Sequence, residues 1–164
     1  MPNAVTHVIV AIVLIDLVRD YLFKKKGFPL YLVLIGGIFA LLPDLDVLAG
    51  WILGTLEYHR VFTHNFIVPL VFGLVTLGLW YFFRKKEYWK WVLVAGVGYL
   101  IHVLLDLIFS GYVYPLWPFS AFQYGLQLVP YSLFGGTIYA GIDAMILIVW
   151  LVHEYWQHNI RDYI

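Results

Sequence analysis

The stretch FPLYLVLIGGIFALLPDLD, residues 28–46, decides how this chain is read. Its apolar run stops at Pro43 after about 15 residues, short of the ~20 that a helix needs to cross a hydrocarbon core. Two carboxylates, Asp44 and Asp46, follow at once. A run that ends so early should be recessed. Irregular backbone at that depth survives only against protein or a water-filled cavity, so residues 47–54 are expected to return to the surface as a re-entrant or interfacial segment.

The rest of the chain has the same character. Its 164 residues are 63% hydrophobic, 20% aromatic and 12% charged, with a mean hydropathy of +0.85. Those values lie outside the range of soluble domains and predict an integral membrane protein. Charged punctuation cuts out four further apolar stretches, about 4–23, 66–83, 91–109 and 137–156. The expected fold is all-α: a polytopic membrane helix bundle of about five transmembrane helices with a re-entrant or interfacial segment. No internal repeat or linker divides the chain, so residues 1–164 are read as a single integral membrane domain. The start Met1-Pro2-Asn3-Ala4 lacks the basic region of a cleavable signal, and the first stretch is expected to remain in the mature protein.

Several function classes drop out early. Absence of cysteine removes disulfides, thiolate ligands and cysteine nucleophiles together. A formal net charge of zero argues against nucleic acid as a partner. Membrane lipid is the expected surroundings.

Basic residues orient the helices. All ten Lys and Arg residues except Arg60 fall near the ends of stretches that meet on one face: Arg19, Lys24, Lys25, Lys26, Arg84, Lys85, Lys86, Lys90 and Arg161. The positive-inside rule makes that face cytoplasmic, with the N-terminus out and the C-terminus in. Counted at ~1.5 Å per helical residue from these anchors, His7, Asp44, His64, His102, Asp106 and Asp143 all come to roughly 18 to 30 Å above the basic face. Ionisable residues from the whole chain thus meet in one layer, in the half of the membrane that faces out.

Buried charge is costly in a bilayer, so such a layer is a functional site by default. His102 and Asp106 are four apart and share a helix face, which lets two side chains reach one ion. Asp44 and Asp46 follow a proline, where irregular backbone aims carboxylates into a cavity. His59 is expected in a loop and His64 at a helix start. Imidazole with carboxylate is the ligand set of zinc, with iron or manganese next. Each piece also has a plainer reading: a helix-to-helix hydrogen bond for His7, a neutralised pair for His102 and Asp106, a turn or cap for Pro43-Asp44-Leu45-Asp46. Asp16 and Arg19, three apart, read as a local ion pair, and His153 and His158 as interfacial residues at the cytoplasmic end.

Taken in order, Thr6-His7, Leu42-Pro43-Asp44-Leu45-Asp46, His59-Arg60-x-x-Thr63-His64, His102-x-Leu104-Leu105-Asp106 and Trp117-Pro118-Phe119-Ser120 resemble the YdjM-like family, described as inner-membrane-bound metal-dependent hydrolases. The resemblance covers roughly residues 6–126. It implies that His7, Asp44, Asp46, His59, His64, His102 and Asp106 are the metal and catalytic positions. Two departures stand out: Asn65 replaces a common Ser, and Ala121-Phe122-Gln123 replace charged residues after Pro118-Phe119-Ser120.

The chemistry expected from this set is metal-assisted hydrolysis, in which a bound divalent ion lowers the pKa of its water towards ~7 and polarises the bond under attack. Seven candidate ligands exceed the four of a lone zinc, so either two ions bind or some groups support the others. Asp44 or Asp46 is the expected general base, Thr63 orients a ligand, and Arg60 holds an anionic group of the substrate. A recessed site that opens outward suits a lipid or lipid-linked phosphoester. The competing class is a metal-ion or proton transporter using the same His/Asp cluster, for which inverted repeats are the usual sign. A structural membrane protein would not need the polar layer.

Overall fold

The computed structural model describes residues 4–23, 27–54, 60–83, 86–109, 112–128 and 131–156, with side chains in the last segment from residue 140 onward. Six helices follow in chain order: α1 (Ala4–Tyr21), α2 (Leu30–Phe39), α3 (Leu45–Leu53), α4 (Ile67–Phe82), α5 (Tyr88–Phe109) and α6 (Tyr131–Trp156). Central α5 packs against α1, α2 and α4, while α6 lies along α1. His59, Lys24, Lys25, Lys26, Arg84, Lys85, His158 and Arg161 lie outside the described residues.

Pro29 precedes α2 in extended conformation, and the helix ends at Ala40, whose N–H bonds Gly36 O at 3.0 Å. Short three-residue turns then carry the chain through Pro43: Leu42 to Phe39 O, Asp44 to Leu41 O, Leu45 to Leu42 O and Val47 to Asp44 O. Helix α3 begins there and stops at Gly54, which takes φ 72°, the left-handed conformation that glycine adopts without penalty. No residue of α3 is buried, although Leu48, Trp51, Ile52 and Leu53 are all apolar. A short apolar helix after Pro43 therefore occupies the place where a surface-returning segment was expected.

The helices approach closely at glycines. A Cβ on Gly98 of α5 would come within 2.0 Å of the Gly36 carbonyl oxygen of α2, and one on Gly96 within 2.6 Å of Phe72 Cβ of α4. Small residues are what allow membrane helices to bring their backbones together. Ile15, Phe28, Leu32, Val33 and Val94 fill the core at one end. Tyr99, Val103 and Val113 fill it at the other.

Among the described residues, α5 alone is long and apolar enough to cross a membrane by length and composition, and α2 and α4 are shorter apolar helices. The 10 residues of α2 and 16 of α4 fall below the ~20 needed for a full crossing. Helix α1 carries Asp16, Arg19 and Asp20 in its last turns. Leu70, Val71, Leu74 and Leu77 of α4 are exposed, a surface suited to lipid rather than water. The molecule is a membrane-embedded helical bundle. Among the described residues, Arg19 and Lys90 meet at one end: Arg19 Nε donates to Phe28 O at 3.1 Å, and Lys90 Nζ reaches Gly27 O and Glu87.

Candidate metal centre

Four segments build a polar cluster at the other end. Helix α1 supplies His7, the turns between α2 and α3 supply Asp44 and Asp46, and the segment before α4 supplies Arg60, Thr63 and His64. Helix α5 supplies His102 and Asp106 one turn apart. His7, His64, His102 and Asp106 are fully buried. Asp44 is different: its side chain is 24% exposed, so it sits at the mouth of the cluster.

Distances are short throughout. His64 Nε2 lies 3.2 Å from His102 Nε2 and 3.6 Å from Asp44 Oδ1, and His102 Nε2 lies 3.5 Å from Asp44 Oδ1. On the other side, His64 Nε2 is 3.3 Å and Arg60 Nη2 2.9 Å from Asp106 Oδ2, with His7 Nε2 3.5 Å from Asp106 Oδ1. The His7 and His102 rings stack at 3.9 Å between centroids.

Second contacts decide which ring nitrogen faces inward. His102 Nδ1 is 2.7 Å from Ala40 O, a carbonyl that can only accept, so Nδ1 carries the proton and Nε2 presents its lone pair to the cluster. Thr63 Oγ1 donates to Asp46 Oδ2 at 2.6 Å, which leaves that hydroxyl to accept from His64 Nδ1 at 2.8 Å. His64 Nε2 therefore also points inward as a lone pair. Asp46 further accepts the Arg60 backbone N–H at 2.8 Å, and Arg60 itself has φ 72°. Tyr99, which the sequence reading passed over, donates its hydroxyl to Thr63 O at 2.5 Å and fixes the same segment to α5.

Two imidazole lone pairs face each other at 3.2 Å beside two carboxylates. Asp44 Oδ1, both Asp106 oxygens and both His7 ring nitrogens are buried without a hydrogen bond. Buried polar atoms are rarely left so; Asp106 Oδ2 faces the Arg60 guanidinium at 2.9 Å, and the other orphaned atoms are free to ligate a cation. Ligand atoms around a tetrahedral zinc with bonds of ~2.0–2.1 Å stand ~3.3–3.4 Å apart, and the separations above bracket that value. Two sets of donors lie within 4.8 Å of one another: Asp44, His64 and His102, and His7, His102 and Asp106. The residues present fit a divalent ion.

Protonation equilibria shift in opposite directions at the two groups that lie between helices. Burial pushes the Asp44 carboxyl up, but His102 and His64 beside it hold it well below the usual carboxylate range. Burial pushes His64 down, and the Asp106 and Asp44 carboxylates outweigh it, raising the imidazole above its ordinary value.

Of the seven metal candidates, five are thus brought together, His7, Asp44, His64, His102 and Asp106, with Arg60 beside them. Asp46 stands behind His64, 3.8 Å from its Nδ1. Asp143 is buried on α6 and belongs to neither donor set. Asn65 turns out to cap α4: its Oδ1 accepts Val68 N–H at 3.0 Å while its Nδ2 donates to Phe62 O at 2.8 Å. Serine at that position could cap in the same way.

Asp16 and Arg19 do pair, at 3.2 Å, but they belong to a larger group that the sequence reading did not assemble. Asp16, Asp20, His153 and Glu154 lie within 4.8 Å of one another between α1 and α6. Trp150 Nε1 stands 3.4 Å from Asp16 Oδ2. Only the packing of α6 along α1 could have shown it.

Fold and site together define a membrane-embedded helical protein with buried His/Asp clusters able to coordinate metal. Comparison with known proteins gives the class a family. Residues 1–161 match the family described as YdjM inner membrane protein, and the chain belongs to that family. It is similar to the inner membrane protein YbcI of Escherichia coli (strain K12), with 35% identity over 129 residues, covering 73% of this chain and 69% of that protein. No solved structure matches it.

Proposed function

We propose that the protein is a metal-dependent hydrolase of the inner membrane, acting on a lipid or lipid-linked phosphoester from the extracytoplasmic side. The observation that carries this reading is the meeting of three imidazoles and two carboxylates at 3.2–3.6 Å in a buried pocket with one exposed carboxylate at its mouth. The two donor sets share His102, whose Nε2 has one lone pair and serves one ion. Asp44, His64 and His102 would therefore hold a single ion, zinc first and iron or manganese next, with Asp106 beside them at 3.3 Å from His64 Nε2. His7 stacks on His102 and lies 3.5 Å from the other oxygen of Asp106, and Asp46 and Thr63 hold His64 in its working tautomer.

A divalent ion there supplies activated water near neutral pH and polarises the phosphoester. Asp44 is the ligand that reaches solvent, and its second oxygen takes the proton of the attacking water. Arg60 lies against Asp106 and 5.9 Å over the Tyr112 ring, and its planar guanidinium binds the anionic group of the substrate. We further place five membrane crossings, with the N-terminus outside and α3 at the surface beside the site.

Metal analysis of the purified protein, followed by a phospholipid and ester hydrolysis panel, tests the reading. Metal-dependent release of phosphate or alcohol supports it, and a metal-loaded protein inert on every member contradicts it. Transport of metal or protons is the second reading, favoured by the polar group of Asp16, Asp20, His153 and Glu154 at the far end of α1. Vectorial metal uptake by proteoliposomes separates the two.

A further inference from the structure

From residue 107 to residue 142 the chain contains no Asp, Glu, Lys, Arg or His. The first part of that run is a hairpin. Val113 and Tyr124 exchange backbone hydrogen bonds at 2.9 and 3.0 Å, and Leu126 and Leu128 bond back to Leu107 O and Ile108 O at the end of α5. Val113 is fully buried. On the site side, Tyr114 N–H bonds His64 O at 3.0 Å, Pro115 O accepts Phe66 N–H at 3.1 Å, and Tyr112 lies under Arg60. The hairpin is therefore anchored to the metal centre along one edge.

Its other surface is apolar and open: Phe119 is 84% exposed, Phe122 65%, Leu116 57% and Leu128 65%. Such a patch, with no charge near it in sequence, is not a surface for water. Its level relative to the bilayer follows from α5. Twenty-two residues span about 33 Å at ~1.5 Å each, slightly more than the ~30 Å hydrocarbon core. Phe109 thus ends at a membrane boundary, and the hairpin continues from there, at the level where aromatic residues sit among lipid headgroups.

We propose that the hairpin of residues 112–128 is a lipid-docking element, with Leu116, Phe119 and Phe122 inserted into the leaflet next to the metal centre. It gives the Trp117-Pro118-Phe119-Ser120 motif a task that metal binding does not. If the hydrolase reading holds, lipid substrate enters beside Arg60 from the plane of the bilayer; docking itself does not depend on that reading.

The absence of cysteine makes the test direct. Phe119→Cys, Phe122→Cys and, as a control at the basic end, Lys86→Cys are each labelled with an environment-sensitive fluorophore and reconstituted in phospholipid vesicles. Labels at 119 and 122 should lose at least about half their emission to acyl-chain spin-labelled lipid and little to aqueous iodide, as expected of interfacial residues. The label at 86 should do the reverse. Iodide quenching of 119 and 122 without lipid quenching would overturn the proposal. So would protection from both quenchers, and energy transfer between labels on two copies would show that a second copy covers the patch instead. Phe119→Ser with Phe122→Ser provides a second arm: metal content should stay unchanged while lipid quenching of a label at Leu116→Cys and turnover of a vesicle-embedded lipid substrate fall together. A loss of turnover with lipid quenching intact would fault the route of entry and leave docking standing.

Discussion

His102 owes its place in the cluster to a backbone atom. Its Nδ1 bonds Ala40 O, which turns the other nitrogen inward, and no sequence pattern announces that partner 62 residues away. The spacing of His102 and Asp106 was legible because four residues make one helical turn. Asp46 was expected as a ligand or general base, while its contacts with Thr63 and the Arg60 amide were not legible, since they form only after the chain folds back from α3. Thr63→Val keeps the shape and removes the hydroxyl link between Asp46 and His64. Chelator competition should show metal affinity lowered ~10- to 100-fold with an intact fold, the usual cost of losing such a partner. Asp106→Asn should lose metal and activity while remaining monodisperse in detergent, whereas Asp16→Asn at the far end of α1 should keep its metal. Both are read by metal analysis. Ligands bind ions only when deprotonated, so affinity should fall as pH is lowered. His64, raised by its carboxylate neighbours, is the first to hold a competing proton.

At the scale of elements, charged punctuation marked the ends of α1, α4 and α5 to within a few residues, because helices that leave an apolar environment do so at charges. Helix α6 starts at Tyr131, six residues before the expected 137; Gly135 and Gly136 interrupt the apolar signal without interrupting the helix. The close contact of α2 with α5 was not legible, since glycine is equally common in turns. Gly98→Ala places a Cβ against the Gly36 carbonyl, a backbone group that cannot rotate away. The helices must part, which costs ~1–3 kcal/mol and pulls Ala40 O from His102. Thermal melting should show lower stability, and the metal-free fraction should rise with it. Gly73→Ala on α4, where nothing stands within 4 Å, should do neither.

For the whole molecule, composition alone pointed to a membrane, and the depth count brought the site residues to one layer. What it could not supply is how α6 lies on α1, and with it the second polar group of Asp16, Asp20, His153 and Glu154. The basic end carries exposed Lys86. If it faces the cytoplasm, a cysteine there should react with a membrane-impermeant maleimide only after the cells are opened. Reaction in intact cells would place the metal centre on the cytoplasmic side and exclude an extracytoplasmic substrate.

The central claim is that the buried His/Asp cluster is a metal centre, and X-ray absorption on the purified, metal-loaded protein tests it most directly. One ion per chain is expected, with nitrogen and oxygen ligands at ~2.0–2.2 Å and the outer scattering of two imidazoles, reduced to background in His102→Ala. Protein that retains no ion, an ion surrounded by oxygen alone, or a spectrum unchanged in His102→Ala would contradict it.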